Sequence, residues 1–265
     1  MREAVKKEKR MKIKKQYIVL SIIFFISILI ISFKLYERYM DSKSNKQIRE
    51  ELNEIFEKNE ENISNEEKEL TKTQKLEELK KINTDIVAIL EIEGTNINYP
   101  VLQTTDNSYY MTHNYKKEES KDGSLFLDKD YNWDLTSTNF LIYGHNNIGS
   151  TEMFVELMKF REKSFYDEHK IIKLTTNEEE AEYEIISVFL SRVFYKHETD
   201  VFRYYYFINA NNEQEFNDYV QNAKKASLYN IDATAKYGDK LLTLSTCSYH
   251  TKNGRLAVVA KKIEK

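Results

Sequence analysis

An uncharged stretch near the N-terminus, "QYIVLSIIFFISILIISF", constrains this chain more than any other feature. It covers eighteen residues, Gln16 to Phe33, and is flanked by Lys14 and Lys15 on one side and by Lys34 on the other. At 1.5 Å per residue, a helix of this length spans roughly 27 Å, close to the hydrocarbon thickness of a bilayer. The stretch therefore predicts one transmembrane helix over residues 16–33.

The basic segment before this stretch predicts its orientation. Residues 1–15 hold eight basic and two acidic side chains, although the whole chain has a net charge of −3. Such a flank stays in the cytoplasm, which places the rest of the chain on the extracellular face of the cell membrane, held by a single pass. A cleaved signal peptide is the alternative. Its apolar core is usually shorter and ends at small residues, whereas this one continues into "KLYERYM", which favours an uncleaved signal-anchor.

Residues 34–74 are predicted to form a stalk with helical stretches. From Glu37 to about Lys81, Glu, Lys, Asn and Gln dominate, and apolar residues recur at helical spacings of three and four. These residues are Ile48, Leu52, Ile55, Phe56, Leu76, Leu79 and Ile82. The last of them indicate a helix that leans on the folded domain. For residues 37–70, a solvated charged linker fits the composition equally well.

A folded domain is predicted from residue 75 to residue 265, where short alternating runs separated by turn residues indicate strands. The predicted strands are Val87–Ile92, Tyr99–Gln103, Ser124–Leu127, Phe140–Tyr143, Ile171–Thr175, Tyr183–Ser191, Lys240–Thr246 and Arg255–Lys261. Helical patterns occur at Met153–Phe160 and at Glu213–Leu228, the second one before the penultimate strand. Eight short strands with few helices indicate a mainly β fold, a closed or nearly closed barrel.

Several function classes lack their sequence signature. The chain contains one cysteine, no Cys-x-x-Cys pair, no glycine-rich phosphate loop and no stripe of basic and aromatic residues after the apolar stretch. We therefore expect neither nucleic-acid binding nor a structural zinc site.

The single cysteine, Cys247, lies in the stretch "TLSTCSYHTKNGRLAVVAK". Outside the cytoplasm, a lone cysteine is a buried inert residue, an intermolecular bridge or a reactive thiol. The stretch predicts a β-hairpin with a turn at Asn253-Gly254. If Leu244 pairs with Val258, Cys247 faces Arg255 at about 5 Å. A guanidinium there would lower the pKa of the thiol and could hold a developing oxyanion.

A reactive thiol needs a base, and histidine is the usual one. Of the five histidines, two stand out. His145 follows the apolar strand in "TNFLIYGHNN" and would be rigidly held at its end, whereas His250 lies three residues after Cys247. On the residues alone, the two are close rivals.

The segments "YGHN", "TLSTC" and "GRLAVVAK" together resemble the sortases, the membrane-anchored cysteine transpeptidases of Gram-positive bacteria, and among them class B. The resemblance covers about residues 75–261 and extends to "INTDIVAILEIEGTNINYPVLQ" and "DGSLFLDKDYN". It implies a sortase-type eight-stranded β-barrel with N-terminal helices. No Asp or Glu directly follows Cys247, which weakens any mechanism with an acidic third residue.

Carried over to this chain, the resemblance implies catalytic roles for three residues. Cys247 corresponds to the nucleophile, His145 to the general acid and base, and Arg255 to the group that positions the substrate and stabilises the oxyanion. Substrate contacts are expected from Asn146, Ser245, Thr246 and Ser248. The backbone N–H of Ser248 is the expected oxyanion donor.

The implied reaction is a two-step acyl transfer without a metal or organic cofactor. The thiolate would cleave a C-terminal sorting motif of a surface protein at Thr, and an amine of the lipid-linked peptidoglycan precursor would resolve the thioester. The alternatives are a pilin-polymerising sortase, a thioester hydrolase and a non-catalytic membrane-anchored binding domain. A pure binding domain would have no need of His145, Cys247 and Arg255 together.

Overall fold

The computed structural model describes residues 2–57, 72–134 and 137–264. Residues 58–71 of the predicted stalk lie outside the described part. The chain forms two compact units, Met1–Arg49 and Glu50–Lys265. The predicted domain limits stay a prediction, although the second unit already includes residues before position 75.

Helix α1 runs from Arg2 to Glu57. Its residues up to Arg49 form the first unit, and the rest of the helix belongs to the second. The uncharged stretch Gln16–Phe33 is helical throughout, and its side chains are exposed. Among the described residues, one helical stretch, Lys14–Phe56, is long and apolar enough to cross a membrane.

The second unit is built on eight strands that form a closed barrel in the order β1-β2-β3-β4-β7-β8-β6-β5. The strands are β1 Ile86–Glu91, β2 Asn98–Leu102, β3 Leu125–Leu127, β4 Asn139–Gly144, β5 Ile171–Thr175, β6 Glu180–Arg192, β7 Leu241–Cys247 and β8 Gly254–Lys262. Neighbours pair antiparallel, except β2 with β3 and β4 with β7. The predicted barrel is confirmed, with every strand within three residues of its expected bounds.

Two helices pack against the outside of the barrel. Helix α2, Lys72–Ile82, buries Leu76 and Leu79 completely, as its spacing predicts. Helix α4, Glu213–Ala226, lies between β6 and β7, as expected, and ends two residues before the predicted end. Tyr219 on its apolar face bonds to Thr243 Oγ1 of β7, and Tyr204 from the segment before α4 bonds to Ser245 Oγ on the same face of β7. That face of β7 is therefore buried, although it is polar.

The helix predicted at Met153–Phe160 is confirmed in place, but it begins three residues later and is of another type. A 3-10 helix occupies Glu156–Arg161, and a short α-helix, α3, follows at Lys163–Glu168. Met153 has a φ of 54°, which is outside the right-handed helical region. Leu157 and Phe160 are both fully buried, and a repeat of three residues per turn places them on one side.

Candidate active site

Three predicted site residues lie in one row across the adjacent strands β4, β7 and β8. Cys247 ends β7 and pairs with Arg255 on β8, which confirms the predicted register. On the other side of β7, the last pair of the parallel β4–β7 ladder is Gly144 with Thr246. His145 and Cys247 are the next residues of the two strands, which lie about 5 Å apart. Strand pairing thus brings together residues that are distant in sequence.

This row opens into a cleft of about 220 Å³. The strand ends contribute Tyr143, His145, Ser245, Thr246, Cys247 and Arg255 to its lining. The segment between β2 and β3 contributes Asn107 and Met111, and the segment after β6 contributes Val193, Tyr204 and Tyr205. Cys247 is only partly buried, so a substrate in the cleft can reach its Sγ.

Two features hold His145 in place, the close packing around the preceding Gly144 and a hydrogen bond to its ring. A Cβ at Gly144, the residue before it, would lie 2.4 Å from Leu125 Cδ2 and 2.7 Å from Phe154 Cδ2, so any other residue would displace these side chains. His145 Nε2 lies 2.8 Å from the carbonyl oxygen of Met111. A carbonyl oxygen only accepts hydrogen bonds, so Nε2 carries a proton. Nδ1 is then the nitrogen that can exchange a proton during a reaction.

The electrostatics of the pair favour a thiolate and an imidazolium. The hydrogen bond with His145 lowers the pKa of Cys247, burial opposes this shift, and the positive charge of Arg255 adds to it. The hydrogen bond with Cys247 raises the pKa of His145, again against burial, and the Met111 carbonyl adds to the rise. Each group thus stabilises the charged form of the other, as in activated cysteine nucleophiles.

His250, the rival base, faces elsewhere. Its Nδ1 lies 2.9 Å from Ser248 Oγ, and the ring lines a second cleft together with Phe189 and Arg192. Burial, followed by the charge of Arg161, lowers the pKa of His250, which disfavours the imidazolium form. The structure therefore brings His145 to Cys247 and leaves His250 outside the cleft.

The four residues expected to contact substrate have different surroundings. Ser245 and Thr246 line the cleft, but their hydroxyls already bond within the protein, to Tyr204 Oη and to the Gly144 carbonyl oxygen, both at 2.8 Å. Asn146 Nδ2 donates to the backbone carbonyl oxygen of Cys247 at 3.0 Å. Asn146 thus contacts the cysteine itself.

The Ser248 backbone N–H, the expected oxyanion donor, is already engaged within the hairpin. This N–H donates to the Gly254 carbonyl oxygen at 2.9 Å and closes the hairpin. The approach is so close that a Cβ at Gly254 would lie 2.2 Å from the Ser248 carbonyl oxygen. Arg255 Nη1 donates to the Gly254 carbonyl oxygen at 2.9 Å. A guanidinium has five N–H groups, so Arg255 keeps donors for an oxyanion.

Sequence reasoning missed two groups of the site. The Met111 carbonyl oxygen carries no residue-type signal, because any residue has one. Tyr143 precedes His145 by two positions and shares its strand face, so the period of two could have indicated it. Its hydroxyl donates to the buried Asp128 at 2.8 Å. Burial, and then the negative charge of Asp128, raise the pKa of Tyr143. Within the described ranges, no group of three or more His, Cys, Asp or Glu side chains could hold a metal ion.

Comparisons with known proteins point to one family. Residues 90–263 match the family model of the sortase domain. The chain is 34% identical over 192 residues to sortase B of Listeria monocytogenes, covering 72% of this chain and 74% of that relative. It is 29% identical over 256 residues to sortase B of Staphylococcus aureus, covering 96% of this chain and 99% of that relative.

The fold agrees with these sequence matches. The crystal structure of sortase B from B. anthracis in complex with AAEK1 superposes with a TM-score of 0.70 at 29% identity. The match covers 86% of this chain and all of the other chain. The similarity in fold thus extends over most of this chain.

Proposed function

The chain belongs to the sortase family as a class B sortase, a cysteine transpeptidase, and from this premise we propose that Cys247, His145 and Arg255 catalyse its acyl transfer. The row that these residues form across β4, β7 and β8 carries the proposal. In this row the nucleophile has the acid and base on one side and a permanent positive charge on the other.

In the first step, the Cys247 thiolate attacks the carbonyl carbon of a Thr in the sorting motif of a surface protein. The negative charge that develops on the carbonyl oxygen is stabilised by the Arg255 guanidinium. His145 gives its Nδ1 proton to the leaving amine as the C–N bond breaks. The products are a thioester on Cys247, a neutral His145 and a released C-terminal fragment.

In the second step, an amine of the lipid-linked peptidoglycan precursor attacks the thioester. His145 Nδ1 takes the proton of the attacking amine, and the Cys247 thiolate leaves. The surface protein is then joined to the precursor by an amide bond. The pair of charges on Cys247 and His145 is restored, so the net reaction consumes neither oxidant nor cofactor.

We further propose that the apolar part of α1 anchors the enzyme in the cell membrane, with the basic residues 1–15 in the cytoplasm and the barrel outside. The charge difference across the apolar stretch supports this orientation. Exported clients and the lipid-linked precursor are held at the same membrane. Anchoring therefore raises the effective concentration of each substrate at the cleft.

The test uses the full-length chain in detergent with synthetic peptides that carry NPQTN-like or SPxTG-like motifs. Intact-mass measurement should detect a covalent adduct equal to the peptide up to its Thr, and Cys247→Ala should abolish it. An adduct that persists in Cys247→Ala would disprove the nucleophile. Loss of activity in His250→Ala but not in His145→Ala would disprove the base.

The acceptor is tested in the same assay by adding amines. Transfer to a peptidoglycan-type amine supports the proposed transpeptidase. Release of free acid at the same rate with and without amine would identify a hydrolase, and a preference for a lysine side chain of a second protein would identify a pilin-polymerising enzyme.

A further inference from the structure

The pairing of β4 with β7 stops one residue before His145 and Cys247, the two reacting groups. In the β4–β7 ladder, Gly144 and Thr246 are the last pair, and His145 and Cys247 follow it. Backbone hydrogen bonds fix the separation of two strands only within the ladder. The distance between the imidazole and the thiol therefore depends on contacts beyond the ladder.

A side chain provides such a contact. Asn146 Nδ2 donates to the backbone carbonyl oxygen of Cys247 at 3.0 Å, across the two strand ends. The Asn146 backbone carbonyl oxygen in turn accepts from Tyr249 Oη at 2.8 Å. We propose that Asn146 is a positioning residue that holds Cys247 beside His145 beyond the end of strand pairing.

The chemistry of the carboxamide suits this role. A ladder continues through N–H groups that donate to carbonyl oxygens of the neighbouring strand, and the Asn146 amide supplies such a donor from its side chain. One residue earlier, Thr246 Oγ1 donates to the Gly144 carbonyl oxygen at 2.8 Å. Side-chain bonds thus tie the two strands together on both sides of the His145–Cys247 pair.

Asn146 is poorly placed for the alternative role of substrate contact. It does not belong to the lining of the cleft, and its amide already donates to Cys247. Our inference rests on the proposed roles of Cys247 and His145. Its distinctive consequence is that Asn146 controls the ionisation of the thiol without touching substrate.

The test measures the alkylation rate of Cys247 by iodoacetamide against pH in the full-length chain, where it is the only cysteine. For Asn146→Ala, we expect the midpoint to rise by about one pH unit, because the thiolate loses its close cationic neighbour. Asn146→Asp keeps the shape but adds a negative charge and should raise the midpoint further. In transpeptidation, kcat should fall in both variants, and KM should stay within about twofold of the wild type.

The neighbouring asparagine offers a matched control. Asn147 Nδ2 donates to the Lys121 carbonyl oxygen at 2.8 Å and to Asp122 Oδ1 at 2.9 Å, away from Cys247. The pH midpoint of Cys247 alkylation should be closer to the wild-type value in Asn147→Ala than in either Asn146 variant. Tyr249→Phe, which removes the hydroxyl that supports Asn146, should give a shift in the same direction but smaller.

Wild-type midpoints in both Asn146 variants, with unchanged melting temperatures, would overturn the proposal. A raised KM with an unchanged midpoint would also overturn it, since Asn146 would then contact substrate. Alkylation needs no substrate, so the midpoints are independent of whether the enzyme transfers acyl groups. A failure of the proposed function is detected separately by the peptide adduct and its loss in Cys247→Ala.

Discussion

Two walls of the cleft are built in different ways. The strand wall consists of the ends of β4, β7 and β8 with His145, Cys247 and Arg255, and backbone ladders set its register. The loop wall is the segment of residues 107–111 between β2 and β3, which supplies Asn107 and Met111. The loop wall is held by side chains from elsewhere, such as Asn83, whose Nδ2 donates to Tyr110 Oη at 2.8 Å.

The difference separates two tasks of the site. The strand wall places the groups that form and break bonds. The β7–β8 ladder pairs Cys247 with Arg255, and side-chain hydrogen bonds tie the ends of β4 and β7 together beside His145. The loop wall orients the His145 ring through one backbone carbonyl oxygen. Changes in the strand wall should therefore alter the chemical step, whereas changes in the loop wall should alter stability and proton affinity.

The largest effect is expected at the strand wall for Arg255→Ala. Loss of a preorganised oxyanion donor typically costs about 10²–10³ in kcat, and we expect a loss of this size in the peptide transfer assay. Arg255→Lys should restore only part of it, because an ammonium lacks the planar fork. The matched control is Arg192→Lys on the neighbouring strand β6, where the arginine pairs with Glu198. Equal losses in the Arg192 and Arg255 variants would contradict the assignment.

The strand wall was predictable in part because residues close in sequence determine the pairing of β7 with β8. A period of two along "KLLTLSTC" and "RLAVVAK" placed Cys247 opposite Arg255, and the structure has this pair. The position of His145 after an apolar strand was visible too, but its pairing with Cys247 requires β4 to lie beside β7. That choice of neighbour is a property of the whole barrel.

The loop wall could not be predicted from the sequence for a physical reason. The Met111 carbonyl oxygen is a backbone atom, so no residue type marks its role. The contacts of Asn83 and Asn146 are hydrogen bonds to backbone or distant hydroxyl groups, which leave no periodic pattern. The same holds for the Ser248 N–H, whose pairing with Gly254 follows from the tight turn that closes the hairpin.

A smaller effect is expected at the loop wall for Asn83→Ala. Asn83 is 4% exposed, and its Nδ2 donates both to Tyr110 Oη and to the Tyr115 carbonyl oxygen. Its loss removes the bond to the buried Tyr115 carbonyl oxygen, whereas Tyr110 Oη still donates to Asp85 Oδ2. The free energy of unfolding should fall by about 1–3 kcal/mol in denaturant titrations. Asn222→Ala on the exposed side of α4 is the control and should cost much less. A kcat loss as large as that of Arg255→Ala would erase the distinction between the walls.

The pH dependence of the reaction should reflect both walls. The pKa of Cys247 is lowered, first by His145 and less by Arg255, and that of His145 is raised, first by Cys247 and less by the Met111 carbonyl. The rate should fall on the acid side as the thiolate gains a proton, and on the alkaline side as the imidazolium loses one.

Alkylation profiles separate the two causes. His145→Ala should move the midpoint for Cys247 to higher pH by about one unit, and Arg255→Ala should move it in the same direction by less. A larger shift in Arg255→Ala would reverse the order of the two neighbours. It would mean that the charge of β8, and not the hydrogen bond from the end of β4, sets the ionisation of the thiol.

The smallest effect is expected for two tyrosine hydroxyls that bond to the buried face of β7. Tyr204 Oη and Ser245 Oγ form a hydrogen bond of 2.8 Å, and Tyr219 Oη and Thr243 Oγ1 form another of the same length. Thr243 Oγ1 also donates to Asn139 Oδ1 at 2.9 Å, so it keeps a partner if Tyr219 is changed.

Tyr204→Phe should therefore lower the free energy of unfolding by about 1 kcal/mol, and Tyr219→Phe by less. Tyr204 also lines the cleft, so its variant should change KM for the peptide, whereas Tyr219→Phe should leave KM unchanged. Denaturant titrations and initial rates measure the two quantities. Equal stability losses, or a KM change in the Tyr219 variant, would mean that the two tyrosine hydroxyls act as one network and not as separate contacts of β7.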